Sequence, residues 1–379
     1  MVEERAFWLA WSSLNGIGPI LLKRLQKQFG SLAKAWAASS TDLLNVEGLG
    51  PQTVETIAIA RRKIHPEQLL DQHQHDNPNF WTPADVEYPR LLLETPDPPP
   101  VLYYRGKVDL QELAGTIPTV AIVGTRSPSP YGRKWTQRIT TALAQNGFTV
   151  VSGLADGIDT EVHRSCLESQ RRTIAVLGCG VDVIYPGSNR TLYQQVLESG
   201  LVLSEHPAGT QPDRIFFPRR NRIIAGLCRA TLVMEAPAKS GALITAHYAN
   251  EYGRDVYALP GRLDDKTAIG CLKLINKGAH LIEGIDELLD MLGMLPQFNV
   301  APLPSTVEQP TLPLNLEPKL EQVLQVLTDL SQSDGSEAIS FDQLVQSIDL
   351  PASSVSSALL QLELMGLVAQ LPGMRYQRT

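Results

Sequence analysis

From the N-terminus to about residue 65 the apolar positions recur at helical spacing, with Leu21, Leu22, Leu25 and Phe29 following the segment Leu14-Asn-Gly-Ile-Gly-Pro19. The theme returns at Val46-Glu-Gly-Leu-Gly-Pro51. Gly-apolar-Gly between helices predicts a tight hairpin, so residues 1–75 read as a small helical domain of the helix-hairpin-helix or SAM-like kind. The helix that follows such a hairpin can offer N–H groups to a phosphate. Glu47 and Glu55 flank the second copy, however, and a pure packing role stays open. Residues 76–105 carry Pro78, Pro83, Pro89, Pro96 and the run Pro98 to Pro100, which predicts an extended, helix-free connector. Its tail from Val101 is a candidate edge strand.

The pattern then changes period. Short, nearly continuous apolar runs at Thr119–Val123, Phe148–Val151, Thr173–Leu177, Leu201–Leu203, Thr231–Glu235, Val256–Leu259 and His280–Ile282 alternate with helical stretches. Strands of that kind separated by helices predict a mostly parallel sheet covered on both faces, an α/β, doubly wound, Rossmann-like domain over residues 106–293. Prolines between 294 and 316 mark a linker. In residues 317–379, three helical segments are followed by two short strands around a Pro-Gly turn, the pattern of a winged helix. Its third helix, Ala352–Leu364, carries Glu363 as its single charge, which argues against reading of duplex DNA.

Composition narrows the function classes. The 379 residues are 43% hydrophobic and 19% charged, ordinary for folded domains, and the formal net charge is −7. A uniformly acidic balance excludes indiscriminate duplex binding, so any nucleic-acid site must be a local basic patch. Cys166, Cys179, Cys228 and Cys271 lack metal or redox spacing and read as buried thiols. No signal-like or membrane-spanning run is present, and a cytoplasmic location is expected.

Four loops follow strands, at the edge of a parallel sheet where ligands bind. The first, Gly124-Thr-Arg-Ser-Pro-Ser-Pro-Tyr-Gly132, offers Gly124 for close backbone approach and Arg126 and Ser127 as anion donors. It matches neither the dinucleotide fingerprint nor the phosphate loop ending in Gly-Lys-Ser/Thr, and a plain packing turn is an equal reading. The second, from Ser152 and Gly153 to Asp159, again opens a helix, with Asp156 and Asp159 as either an acid/base pair or helix caps, the latter requiring less. The third, Pro212 to Ile224, gathers Arg214, Arg219, Arg220 and Arg222 with Asn221 against one acid, Asp213, and interleaves Phe216 and Phe217. Guanidinium groups take phosphates and an aromatic face takes an unstacked base, so this is the best candidate for a nucleic-acid patch. The fourth places Lys239, Ser240 and Gly241 at a helix start. No nucleophile, metal cluster or catalytic triad accompanies these loops; no metal or cofactor is expected, and binding is better supported than turnover.

At these residues the chain resembles the DNA-processing protein A family (DprA, also called Smf). The resemblance rests on Gly124-Thr-Arg with Tyr131-Gly132, on Ser152 to Asp159, on Arg220-Asn-Arg-Ile-Ile, on Lys239 to Ala246 and on Ala258-Leu-Pro-Gly261, in the family's order. It implies single-stranded DNA binding, a homodimer formed through the Rossmann-like domain and recruitment of the RecA recombinase during natural transformation. It places Arg126, Arg214 and Phe217 at the family's DNA-contacting positions, with Arg220, Asn221, Arg222 and Lys239 around them. One departure is Leu272, where the family commonly has Asn. Two rivals are weaker. Phosphoribohydrolases of the same fold carry a Pro-Gly-Gly-x-Gly-Thr-x-x-Glu motif, and the corresponding stretch here, Lys239 to Asn250, holds no carboxylate. A winged-helix regulator is disfavoured by the lack of positive charge on the third helix.

Overall fold

Alternation along a single strand shows how the sheet is covered. In β3 (Thr119–Val123), Val120 and Ile122 enter one apolar cluster with helix residues Ile139, Leu143, Ile158 and Val162, while Ala121 and Val123 enter another with Ile223, Ile224, Ala242 and Ala246. Both faces are buried, which is why the strands carry no polar alternation. The computed structural model describes residues 3–293, 318–334, 339–348, 350–364, 368–371 and 375–378. They form two units, Met1–Ala301 and Pro302–Thr379.

In chain order the first unit begins with six helices, α1 (Glu4–Ser12), α2 (Pro19–Phe29), α3 (Leu32–Ala37), α4 (Ser40–Leu44), α5 (Pro51–Arg61) and α6 (Pro66–Asp76). Their core is built from Trp8, Trp11, Leu22, Leu25, Leu32, Val54 and Ile57, and both hairpins contribute to it through Leu14, Ile17, Val46 and Leu49. Trp11 is fully buried, donates from its indole to Leu32 O (3.1 Å) and meets Trp36 edge-on at 5.2 Å. Residues 1–75 are not set apart from the sheet, because Ala6 and Leu9 join a cluster with Phe80, Val181 and Tyr193. Arg5 adds an ion pair with Asp85 (2.9 Å).

The proline-rich segment is less extended than its composition predicts. It holds β1 (Phe80–Trp81) and a short helix α7 (Arg90–Glu94) directly after Pro89, where a missing N–H costs nothing. Then come β2 (Leu102–Gly106), α8 (Leu110–Ala114), β3, α9 (Pro130–Gln145), β4 (Thr149–Ser152), α10 (Ile158–Glu168), β5 (Thr173–Leu177), α11 (Arg190–Ser199) and β6 (Leu201–Ser204). The unit ends with α12 (Phe216–Gly226), β7 (Ala230–Val233), α13 (Ala242–Glu251), β8 (Asp255–Ala258), α14 (Ile269–Asn276), β9 (His280–Leu281) and α15 (Ile285–Gly293).

The sheet order is β1-β2-β6-β5-β4-β3-β7-β8-β9. From β6 to β9 every pairing is parallel, and β2 and β1 extend the sheet antiparallel, so the predicted edge strand exists with a second one beyond it. The chain runs outward from β3 to β6, then returns to lay β7 on the other side of β3. Between β3 and β7 lies the topological switch point, where a crevice opens at the carboxyl edge.

The second unit is a winged helix. It consists of α16 (Pro318–Asp334), β10 (Ile339–Ser340), α17 (Phe341–Ser347), α18 (Ala352–Leu364), β11 (Val368–Leu371) and β12 (Arg375–Arg378), with a three-stranded antiparallel sheet ordered β10-β12-β11. Val323, Leu327, Leu344, Val355, Leu359 and Leu362 fill its core. A capping box between Ser340 and Gln343 starts α17. The 294–316 linker and the Pro-Gly turn lie outside the described residues.

Because Trp11 combines complete burial with a satisfied indole N–H, Trp11→Ala is expected to lower stability by about 3–5 kcal/mol. Urea unfolding monitored by circular dichroism measures this, and a loss below about 1 kcal/mol would contradict the packing described.

Candidate nucleic-acid interface

At the switch point the loops after β3 and β7 are tied edge to edge, with Thr125 N donating to Glu235 O (2.7 Å) and Met234 N to Val123 O (3.0 Å). The cleft above them, about 610 Å³, is lined by Gly124, Thr125, Arg126, Ala155, Asp159, Tyr185, Arg214, Phe217, Arg220, Asn221, Ile224, Lys239, Ser240, Gly241 and Thr245, among others. All four sequence-predicted loops reach this space or the smaller hollow beside it, which is lined by Gly153, Asp156, Gly178, Tyr185 and Phe217.

Close packing positions the first loop. A Cβ on Gly124 would stand 2.5 Å from the Ile158 side chain, so only glycine lets α10 approach here. Arg126 emerges exposed beyond it, its guanidinium 5.6 Å from the centre of the Phe217 ring. The loop then turns into α9, where Ser129 Oγ accepts from Gly132 N (3.0 Å) and Ser129 N donates to Glu235 Oε2 (2.9 Å). The other oxygen of this buried carboxylate takes the Thr267 hydroxyl, so Glu235 clamps the loops after β3 and β8 together.

The floor is a buried charge. Arg220, 5% exposed, donates from Nη1 to Gly153 O (2.7 Å) and to Val176 O, at the carboxyl ends of β4 and β5. A Cβ on Gly153 would overlap this guanidinium. Asp159 accepts from Gly153 N (3.1 Å) and Ala155 N (3.4 Å), so it braces the loop ahead of α10 and does not cap that helix as the sequence suggested. Burial raises the Asp159 carboxyl above its ordinary range, opposed by the Arg220 charge and those N–H groups. Asp156 instead accepts from Ser188 Oγ (2.9 Å).

On α12, Phe217, Arg220, Asn221 and Ile224 follow at i, i+3, i+4 and i+7, so one stripe faces the cleft. Asn221 Nδ2 donates to Gly241 O (3.1 Å), fastening this stripe to the fourth loop. Tyr185, 40% exposed, lies 5.4 Å from Phe217 ring to ring and completes an aromatic wall. Its place was not legible in the sequence, since it arrives from the loop after β5 with no local signal. Arg126, Arg214 and Lys239 make no ion pair among the described residues, and Asp159 is the one carboxylate among the lining residues.

Five sequence candidates stand elsewhere. Arg222 is buried on the opposite side of α12, donating to Asp97 O (2.6 Å) and paired with Glu205, so it anchors the 76–105 connector. Arg219 is exposed outside the cleft lining. Ser152 is buried with its hydroxyl on Ile122 O (2.7 Å). Ser127 is exposed away from the lining, and Tyr131 sits on α9 with its hydroxyl donating to Pro260 O (3.1 Å). Leu272, on α14, is also absent from the lining, so its departure from the family pattern leaves the cleft wall unchanged. The four cysteines are buried and unpaired, and no cluster of metal-ligating side chains occurs among the described residues.

Arg220→Met should cost about 3–5 kcal/mol at neutral pH, because Asp159 is left buried without its counter-charge. Without Arg220 the already raised Asp159 carboxyl rises further, so the extra penalty is absent below the wild-type folded pKa, where the group is protonated in both proteins, and complete above the variant's higher one. The stability gap to wild type should therefore shrink as pH falls toward about 4; a gap constant with pH in urea titrations would refute this role. Arg222→Met should also destabilise, by about 3 kcal/mol, since it removes the counter-charge of Glu205 and leaves Asp97 with the Tyr252 hydroxyl alone. Its affinity for oligonucleotides should be unchanged, as a filter-binding titration would show.

The family model described as DNA recombination-mediator protein A matches residues 79–293, and that of the DprA winged helix domain matches residues 307–374. Protein Smf of Synechocystis sp. is 49% identical over 401 aligned residues, covering 99% of each chain. DNA processing protein DprA of Streptococcus pneumoniae is 45% identical over 202 residues, 53% of this chain and 70% of that one. The X-ray structure of the pneumococcal DprA aligns with a TM-score of 0.65 at 34% identity over 76% of this chain and 98% of that one. DNA processing protein A of Helicobacter pylori, described for its single-stranded DNA binding mode, aligns with a TM-score of 0.51 at 33% identity over 56% of this chain and 95% of that one. No helix among the described residues is long and apolar enough to cross a membrane. With its sheet domain and its winged helix both matched, and with a relative alike over almost the whole length, this chain belongs to the DprA/Smf family of DNA-processing proteins.

Proposed function

We propose that this protein binds single-stranded DNA in the switch-point cleft without base preference. The observation that carries the reading is the conjunction of Arg126, Arg214 and Lys239 with the Tyr185 and Phe217 rings around one opening. Free cations take successive phosphates, and ring faces stack any base that is not paired. A duplex keeps its bases inside the stack and has none to offer the rings. Asp159, the lining carboxylate, is engaged beneath Arg220 with two backbone N–H groups, which supports holding a strand over acid/base turnover. The binding mode described for the Helicobacter relative supports the same choice of ligand.

Family membership extends the proposal. The bound strand is presented to RecA recombinase for homologous recombination of DNA taken up during natural transformation, and the protein works as a homodimer through its Rossmann-like domain. Single-strand capture is the step the cleft itself serves.

The expected result is tight binding of oligo-dT that weakens steeply with salt, the logarithmic slope being about −0.7 per phosphate engaged. Arg126→Ala with Arg214→Ala should weaken binding by about a hundredfold and flatten that slope by about 1.4. Phe217→Ala should lose about 1–3 kcal/mol of affinity for every base composition alike. Fluorescence anisotropy at several salt concentrations measures all three; an unchanged affinity in the double variant rejects the cleft as the site. Faster RecA filament growth on single strands in the presence of wild type, but not of the double variant, is the expected sign of loading.

A further inference from the structure

Tyr131 poses a question the cleft does not answer: it is 47% exposed, yet it lies outside the lining. We infer that Tyr131, Lys134, Trp135 and Arg138 of α9 form a second nucleic-acid contact surface, an outward track that receives the strand as it leaves the cleft. The inference rests on the single-strand reading above and extends the site along a helix that none of the cleft loops includes.

The four residues fall at i, i+3, i+4 and i+7, so they share one stripe of the helix. The opposite face, with Gly132, Thr136, Ile139, Thr140 and Leu143, is buried against the sheet and α10, which turns Tyr131, Lys134 and Arg138 outward and leaves Trp135 half-buried against the same cluster. Over its 16 residues α9 carries Arg133, Lys134 and Arg138 and no carboxylate, in a chain whose net charge is −7. Arg133 lies on the flank and approaches Glu161 (3.9 Å), which also takes Arg164 (3.4 Å). Lys134 and Arg138 make no ion pair with a carboxylate among the described residues.

Aromatic groups alternate with these cations. The Tyr131 and Trp135 rings are 6.3 Å apart, and the Arg138 guanidinium lies 4.8 Å from the Trp135 ring centre. Phosphates need cations and unpaired bases need ring faces, and the stripe offers both in turn over about 10 Å of helix. Its near end is fixed to the loop after β8 by the Tyr131 hydroxyl on Pro260 O, and the loop bearing Arg126, which lines the cleft, runs directly into α9. The neighbouring loop brings Arg262, paired with Asp264 (2.9 Å), and Lys266 beside Asp265, so its charges cancel, and the carboxylates of α15, Asp286, Glu287 and Asp290, make no ion pair with Lys134 or Arg138 among the described residues.

The test compares oligo-dT of about four nucleotides, enough for the cleft, with one of about sixteen. The full-length wild type is measured beside a Lys134→Ala, Arg138→Ala variant, whose changes lie at the surface. Wild type should bind the longer strand more tightly; the variant should match wild type on the short strand, bind the long one about tenfold more weakly and show a salt slope smaller by about 1.4. Long-strand affinity equal to wild type, equal loss on both lengths, or no gain with length in wild type would each overturn the track. The Arg126→Ala, Arg214→Ala variant, run alongside, separates the two claims: if it retains short-strand binding, the cleft reading fails, whatever α9 does.

Discussion

A guanidinium taken out of water must find partners for its donors, and Arg220 finds them in the carbonyl oxygens of Gly153 and Val176. Those carbonyls sit at or just beyond the carboxyl ends of adjacent parallel strands, where the ladder no longer supplies donors. One side chain thereby satisfies its own desolvated charge and the open ends of β4 and β5, with Asp159 balancing the charge from below. Everything on the neighbouring turn of α12 inherits this fixed point. Phe217 stands one turn before it and Asn221 directly after it, so the aromatic wall and the bond to Gly241 are set by an ion that itself never needs to touch a ligand.

The resulting surface separates two kinds of arginine that look alike along the chain. Arg126 and Arg214 are solvated and unpaired among the described residues, whereas Arg220 and Arg222 are consumed by the fold. An acidic protein can hold a polyanion in this way. The carboxylates around the opening are engaged: Asp159 by two backbone N–H groups at the floor, Glu235 under the first loop, and Glu161 by Arg133 of α9 and Arg164 of α10.

Most of the architecture was legible because buried parallel strands leave a local trace: unbroken apolar runs such as Thr119–Val123 and Thr173–Leu177 coincide with β3 and β5. Three of the four loops were legible for the same reason, each following a strand directly, whereas the third stretch is largely the helix α12. What failed was face assignment. Arg220 and Arg222 are two apart on a helix and must point in different directions, so the periodicity that locates the cleft stripe also excludes Arg222 from it. Ser152 went astray because a loop's position says nothing of which atoms are already bonded, Tyr131 lies on α9 outside the cleft lining, and Tyr185 was invisible because it arrives from a distant loop after β5. The proline-rich connector misled in the other direction: prolines bar helix interiors but not helix starts, and α7 uses Pro89 as its entry.

The switch-point topology has a consequence for how the protein comes into being. Gly124 and Lys239 belong to segments separated by the whole excursion through β4, β5 and β6, and they meet only when β7 docks beside β3. A nascent chain that has emerged only as far as β6 has its outer strands and its first two loops but no opposing wall. Such a fragment also lacks α12 and the fourth loop, so the complete cleft lining exists only once β7 lies beside β3.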